Sequence, residues 1–551
     1  MMRNCTPRRW LFLVSCVVGI ASSVCVAQAT YSITGKVVNA ASGSPLPRAS
    51  VSLEEAKDGS LFASVTTDEN GNFQFLRLPA DKYVLRGSHR GYITTAYDAH
   101  DNFTTALVTG EGMNCCANLQ LRLLPGGVIA GTVAEDSGDP VENGVVVLYR
   151  ENNRTGSERV QRVRTTNVDE SGAYEFAGLE PGNYFVSASA QPWYANRARM
   201  MRMNRNANGS ENDTPRSPLD VVYATDFYPD TTDEKEAAPV PIKGGEHLII
   251  NFSLHPVPAL HLTIQMPPTT ESGRNSFFVP VIEQQVFGTT ERVFGSAMMG
   301  RQGGVLEVSV PPGQYELRTP ERDGGPGKSI SFDASTDQAV DLNAGSTLAD
   351  VSGKLAFASG GALPDNLFVS FTTLEGQNNN GGARLEKDGS FTIHGVTPGV
   401  YRLNVVGGGK RFHISRMVAS GAQIGHRQIT IGSGPVTLAA NIYADLGLSV
   451  SGFARNDGVI APGAMVVLVP ADPVRDRDYF RRTQSDSDGS FVLKNVEPGR
   501  YTVIAIQDGW SLDWARPEVV QHYAQLGQPV VASENSPQII QLKEAVDVQA
   551  K

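Results

Sequence analysis

Asp486-Ser487-Asp488-Gly489-Ser490-Phe491-Val492-Leu493, continued by Glu497-Pro498-Gly499-Arg500-Tyr501-Thr502-Val503, is the stretch whose reading decides the fold. Asp-Gly supplies the positive φ that a tight hairpin needs, and Pro-Gly sets φ near -65° before a permissive residue. Between and after these turns apolar and polar residues alternate, as they do on half-buried strands. The stretch therefore reads as two short strands held at a fixed spacing, with Tyr501 opening the second.

The same unit recurs upstream. Gly71-Asn72-Phe73 leads to Tyr83, Gly172-Ala173-Tyr174 to Tyr184, and Gly389-Ser390-Phe391 to Tyr401, each Tyr twelve residues after its Gly. A degraded copy runs from Gly303 through Pro312-Gly313 to Tyr315 without the acidic turn. Five copies predict five domains of about 90–130 residues each. The repeated Tyr is placed to pack its ring inward while its hydroxyl bonds backbone, as in a tyrosine corner.

Four copies carry a further pattern before the acidic turn: Ile33-Thr34-Gly35-Lys36-Val37, Ile129-Ala130-Gly131-Thr132-Val133, Val351-Ser352-Gly353-Lys354-Leu355 and Val450-Ser451-Gly452-Phe453. These read as first strands, each followed by a Pro-containing turn and a second strand. The whole pattern resembles the carboxypeptidase regulatory-like domain of bacteria, a transthyretin-like (prealbumin-like) seven-stranded sandwich related to Cna B-type repeats and grouped with carbohydrate-binding-like folds. The resemblance implies an all-β chain of five tandem antiparallel β-sandwich domains, over 30–124, 125–258 with a long loop at 190–235, 259–346 in degenerate form, 347–444 and 445–551. One short C-terminal helix is expected over Trp514–Leu526, capped by Asp513, with Pro517 in its first turn and Gly527 as its stop. Short Pro-containing links predict a semi-rigid rod or curved array.

Before the first domain, Arg3, Arg8 and Arg9 precede an apolar run from Trp10 to Ile20 and the sequence Ala27-Gln28-Ala29. That order reads as a secretory signal peptide over 1–29, so the mature chain is expected to be exported, to the periplasm, the cell surface or the exterior, with no transmembrane segment left after signal removal. Leu13-Val14-Ser15-Cys16 also resembles a lipoprotein cleavage box, but the apolar stretch ahead of it is short. Of five cysteines only Cys115 and Cys116 remain after cleavage, which excludes a disulfide-stapled scaffold. Strand alternation back from Leu119 predicts Cys115 buried and Cys116 outward, with a vicinal disulfide as the alternative.

With 47 basic against 57 acidic residues and no long Lys/Arg run, nucleic acid is not an expected partner. None of the nine histidines opens an H-x-x-E or H-E-x-x-H spacing, so the peptidase activity of the metallocarboxypeptidases that carry this domain is not expected, nor is any metal or other cofactor. Asp323-Gly324-Gly325-Pro326-Gly327-Lys328-Ser329 reads as a loop rather than a phosphate cradle, because strand residues follow it where a helix is required. Asp68-Glu69-Asn70-Gly71 and Asp486-Ser487-Asp488-Gly489 read as hairpin turns rather than calcium loops. Cna B-type relatives suggest Lys-Asn isopeptide bonds, with Lys36 and Asn118, or Lys354 and Asn441, as the pairs, but alternation leaves these side chains out of phase with the core. The remaining candidates are aromatics. Trp193 with Tyr194, and Trp510 with Trp514, have flat rings that can stack on sugar faces, the other reading being that they anchor loops or a helix. The sequence thus predicts a non-catalytic structural, adhesive or recognition scaffold with a protein or polysaccharide partner at the cell envelope, with carbohydrate binding through those aromatics as the alternative.

Overall fold

The structure, a computed structural model, describes residues 30–551 apart from 112–115, 152–159, 196–216, 266–280, 294–296, 300–304, 320–326, 359, 374–378, 409, 426–427, 445–447 and 534. The leader, Cys115 and most of the glycine-rich 323–329 segment therefore lie outside the described residues. Strand Lys328–Ala334 begins within the last two residues of that segment.

One strand order repeats along the chain. The strands Tyr31–Asn39, Gly127–Glu135, Leu260–Gln265, Ala349–Phe357 and Ser449–Asn456 each pair antiparallel with the strand of the Gly-x-aromatic motif or its counterpart. On its other side each pairs in parallel with a strand late in the same unit, such as Leu119–Leu123 or Val436–Ala444. In the facing layer the Tyr-bearing strands Lys82–Ser88, Gly182–Ser189, Gly313–Thr319, Gly399–Gly407 and Gly499–Ile506 pair antiparallel with second strands such as Ser50–Glu55 and Met465–Pro470. Purely antiparallel sandwiches were expected, so the parallel pair is a difference. A first and last strand that run the same way let the chain enter at one end of a unit and leave at the other, which suits stringing units in tandem.

Each unit has its own apolar core, and alternation along the strands fills it. Leu119, Leu121 and Leu123 are buried while Gln120 and Arg122 are exposed. Phe73 and Phe75, Phe391 and Ile393, or Phe491 and Leu493 come from the repeated motif and meet the Tyr rings across the sandwich. The tyrosine corner is present in every unit. The hydroxyls of Tyr184, Tyr315, Tyr401 and Tyr501 donate to the carbonyls of Glu180, Pro311, Thr397 and Glu497 at 2.7–2.8 Å, whereas Tyr83 reaches Pro79 at only 3.4 Å.

Three local expectations are corrected. The strand predicted from Cys115 begins at Leu119, because Asn118 adopts a left-handed φ of 59° and resets the alternation. Cys116 consequently points inward, 8% exposed, and is disulfide-bonded to a partner outside the described residues. The helix is shorter than predicted, Pro517–Ala524, and Arg516 rather than Asp513 precedes it. Asp513 instead ion-pairs with Arg516 at 3.2 Å. Of the 190–235 segment, expected as loop, 196–216 lie outside the described residues, and the part after them contains strands Val221–Tyr223 and Asp226–Phe227, the first of which pairs with Pro256–Pro258. The expected turns form as read, with Asp68 and Asp169 side chains accepting from backbone amides two and four residues on. Lys354 stays exposed and pairs with Asp388 at 3.6 Å, and in the strand register it faces Ala439 rather than Asn441. Lys36 lies opposite Gln120, at the edge of an open depression that Asn118 also lines.

Candidate functional site: the junction of the first, second and fifth domains

The array is curved far enough for its ends to meet. The turn Asp486–Ser490 is docked against the first domain, where the carbonyl of Ala106 accepts from the Ser487 amide at 2.9 Å and Ser487 Oγ accepts from the Val108 amide at 2.8 Å. Lys82 Nζ reaches Asp486 Oδ2 and Ser490 Oγ, both at 2.6 Å. Burial pushes the Asp486 carboxyl above its usual range, against the opposing pull of Lys82. Gln484, almost wholly buried, donates to the Asp98 carbonyl at 2.7 Å and to Thr105 Oγ1 at 2.8 Å. Gly463 sits so close that a Cβ there would meet Asp98 Oδ2 at 2.6 Å.

Arg482 is the centre of this contact. Its side chain is 6% exposed and its Nη2 donates to Asp101 Oδ2 at 2.6 Å. The guanidinium lies 4.7 Å from the Trp514 ring centroid, 5.3 Å from Trp510 and 5.2 Å from Phe103 of the first domain. A planar cation held between aromatic faces and a carboxylate is a strong arrangement, since desolvation strengthens both interactions. Trp510 stacks on His100 at 4.9 Å with the rings 7° from parallel, and its Nε1 donates to the Gly463 carbonyl at 3.3 Å.

Beside this contact lies a cleft of ≈ 440 Å³ between the first, second and fifth domains. Asp101, Arg482, Trp510 and Trp514 form one wall, and Arg150, Glu151, Gln161 and Asn183 belong to the other. Arg150 is held by Glu180 at 2.7 Å and by the Pro181 carbonyl at 2.8 Å, and Asn183 donates to Glu151 at 2.8 Å. The walls are thus planar polar groups, with Arg150, Arg482 and Asp101 in ion pairs and Glu151 bonded by a neutral amide. Such a surface suits a ligand with many hydroxyl or amide groups and little net charge.

Of the four aromatics singled out in the sequence, the structure brings two together here and two elsewhere. Trp510 lies in the short turn Gly509–Ser511 and Trp514 just ahead of the helix, both turned to Arg482. Trp193 is 53% exposed, packs edge-on against Tyr194 at 5.8 Å, and lines a second cleft of ≈ 410 Å³ with Glu142, Asn143, Ser189 and Gln191. Sequence reasoning missed Asp101, His100, Lys82 and Arg482. Their hydrogen-bond partners across the contact are 381 to 408 residues away in the chain, a separation no periodicity or motif records.

The comparisons with known proteins come at the level of domains. Residues 32–109 and 128–208 match the carboxypeptidase regulatory-like domain, and residues 446–531 match the second beta sandwich domain of the BOS complex subunit NOMO1-like family. No curated protein matches the chain. Among solved structures, a streptococcal ancillary pilin is 10% identical over 52% of this chain and 98% of its own, with a TM-score of 0.19. Two B repeat units of the collagen binding protein of Staphylococcus aureus are 12% identical over 75% of this chain and 100% of their own, with a TM-score of 0.13. A shaft pilin from Lactobacillus rhamnosus GG is 9% identical over 42% of this chain and 98% of its own, with a TM-score of 0.20. The carboxypeptidase regulatory-like domain model thus matches two successive stretches of the chain, 32–109 and 128–208.

Proposed function

We propose that the chain is an exported, non-catalytic scaffold whose five sandwiches close on themselves and hold an interdomain recognition cleft at the cell envelope, with a protein or polysaccharide partner. The observation that carries this reading is the docking of Asp486–Ser490 and Arg482 on the first domain. It joins the two ends of a long chain and builds a cleft that no single domain owns. Export rests on the leader, and sequencing of the released protein should find Thr30 at its N-terminus. Small-angle scattering tests the closure. A maximum dimension near that of five sandwiches end to end, in wild-type protein at low concentration, contradicts the reading.

Carbohydrate binding is the second reading. Trp193 favours it, because half of this large ring is exposed beside the planar polar groups of Asn143, Gln191 and Glu142. Tyr194 braces that ring, while Trp510 and Trp514 flank the junction cleft. Titration with soluble polysaccharides, followed by tryptophan fluorescence in wild type and Trp193→Ala, tests it. Saturable quenching lost in the variant supports the sugar platform, and no quenching by any polysaccharide rejects it.

A further inference from the structure

Between the second and third domains a histidine is buried among acids contributed by both. His261, on strand Leu260–Gln265, is 8% exposed, and its Nε2 lies 2.7 Å from Oδ2 of Asp220, a residue 9% exposed in the segment just before strand Val221–Tyr223. Its Nδ1 lies 3.2 Å from Glu307 Oε1 and 3.2 Å from Ser309 Oγ, both on the neighbouring strand Val305–Val310. Asp337, ahead of the strand on the other side, accepts from the His261 backbone amide at 2.9 Å. Glu291 and Arg292 line a small neighbouring cleft of ≈ 50 Å³ that Ser309 also reaches.

The connectivity Ser309–His261–Asp220 is that of an acyl-transfer triad, but Glu307 changes its chemistry. A general base needs an imidazole nitrogen with a free lone pair towards the nucleophile. Here both nitrogens face carboxylates. An imidazolium satisfies Asp220 and Glu307 together, whereas either neutral tautomer leaves one carboxylate against a ring lone pair. Ser309 can then accept from Nδ1–H or donate to Glu307, and it has no base.

We infer that His261 is a proton-dependent clamp between the second and third domains. Protonated, it bridges Asp220 of one domain to Glu307 of the other. When its proton is lost as pH rises, the junction is left with the buried Asp220 carboxylate, the half-exposed Glu307 carboxylate and one hydrogen bond fewer, and it loosens. The remaining contacts there, Phe287 packed among Tyr149, Phe185 and Phe227 and the pair Arg162–Glu291 at 2.8 Å, keep the domains adjacent. The expected change is one of rigidity rather than separation. This inference is independent of the proposed partner and of the contact between the chain's ends.

The test is hydrogen exchange of the full mature chain between pH 5.5 and 9, corrected for the intrinsic pH dependence of exchange. Peptides covering 217–223 and 258–264 should lose protection by roughly tenfold as pH rises, while peptides of the fourth domain keep theirs. His261→Gln, which keeps a polar side chain of similar reach and cannot titrate, should show the same protection at both ends of the range. If that variant fails to fold, Asp220→Asn serves instead and should move the loss of protection to lower pH. A pH response at the junction that is identical in wild type and variant overturns the clamp. So does covalent labelling of Ser309 by a fluorophosphonate at pH 5.5, because a neutral, basic His261 is then at work where the clamp requires the imidazolium.

Discussion

Single groups carry separable parts of the stability. The Tyr501 hydroxyl, buried and bonded to the Glu497 carbonyl at 2.8 Å, is worth about 0.5–1.5 kcal/mol. Tyr501→Phe should cost that much in chemical denaturation of the fifth domain, and Tyr83→Phe measurably less, because the corresponding bond is stretched to 3.4 Å. Equal losses at both positions would show that the length of the bond does not set what the hydroxyl contributes. Asp226 gives a pH signature in the second domain. It is 6% exposed, and burial, aided by Asp230, pushes its carboxyl up to about 6. A carboxyl raised above its unfolded value favours the native state while protonated, so stability should fall as pH rises from about 4 to 6 and stay low above that range. Asp226→Asn should remove this slope and stabilise the second domain by about 1–3 kcal/mol at pH 7. An unchanged slope in thermal melts between pH 4 and 7 would locate the proton elsewhere.

At the level of elements, the repeated glycines explain why one turn and one strand recur. Gly389 holds φ at 83°, and a Cβ there would fall 2.3 Å from the Leu355 carbonyl oxygen. Gly353, on the paired first strand, faces the Phe391 ring so closely that a Cβ would sit 2.5 Å from Cζ. The turn, the first strand and the aromatic of the first, fourth and fifth units therefore specify one another. Gly389→Ala should destabilise the fourth domain by about 1–3 kcal/mol, through both the strained backbone and the clash. Gly360→Ala, at a φ of 74° with nothing within 4 Å, should cost less, because only the backbone term remains. Proteolytic susceptibility of the fourth domain in the two variants separates these contributions. The turns and strands of the repeat are legible in the sequence because they depend on strand period and on residues within about thirty positions of each other. The Cys116 orientation is not. It turns on Asn118 entering the left-handed region, which alternation does not foresee.

At the scale of the whole molecule, contacts between domains follow no repeat. Phe287 plugs an aromatic pocket of the second domain, His413 pairs with Glu497 between the fourth and fifth, and Arg318 donates to the Gly395 carbonyl between the third and fourth. The last domain meets the first through Arg482 and Asp486. Replacing both, Arg482→Ala with Asp486→Ala, should release that contact without unfolding either domain, since each keeps its own core. The radius of gyration should rise and the fluorescence of Trp510 and Trp514 should shift, while calorimetric transitions of the other domains stay in place. A radius unchanged from wild type would mean that the ends are held by other contacts or do not meet in solution.

Local chemistry in the sequence determined the β class, the five repeats, the tyrosine corners and the acidic turns, because positive φ, strand alternation and ring burial are properties of short segments. It also placed Trp193, Tyr194, Trp510 and Trp514 among the residues worth watching. Only the tertiary structure decided which of those rings share a cleft, and that Arg482 and His100 lie against the Trp510 and Trp514 rings. It alone assembled Asp220, His261 and Glu307 from segments about forty residues apart. Contacts of that kind depend on how rigid sandwiches seat on one another, and that seating is set by surface complementarity that leaves no period in the chain.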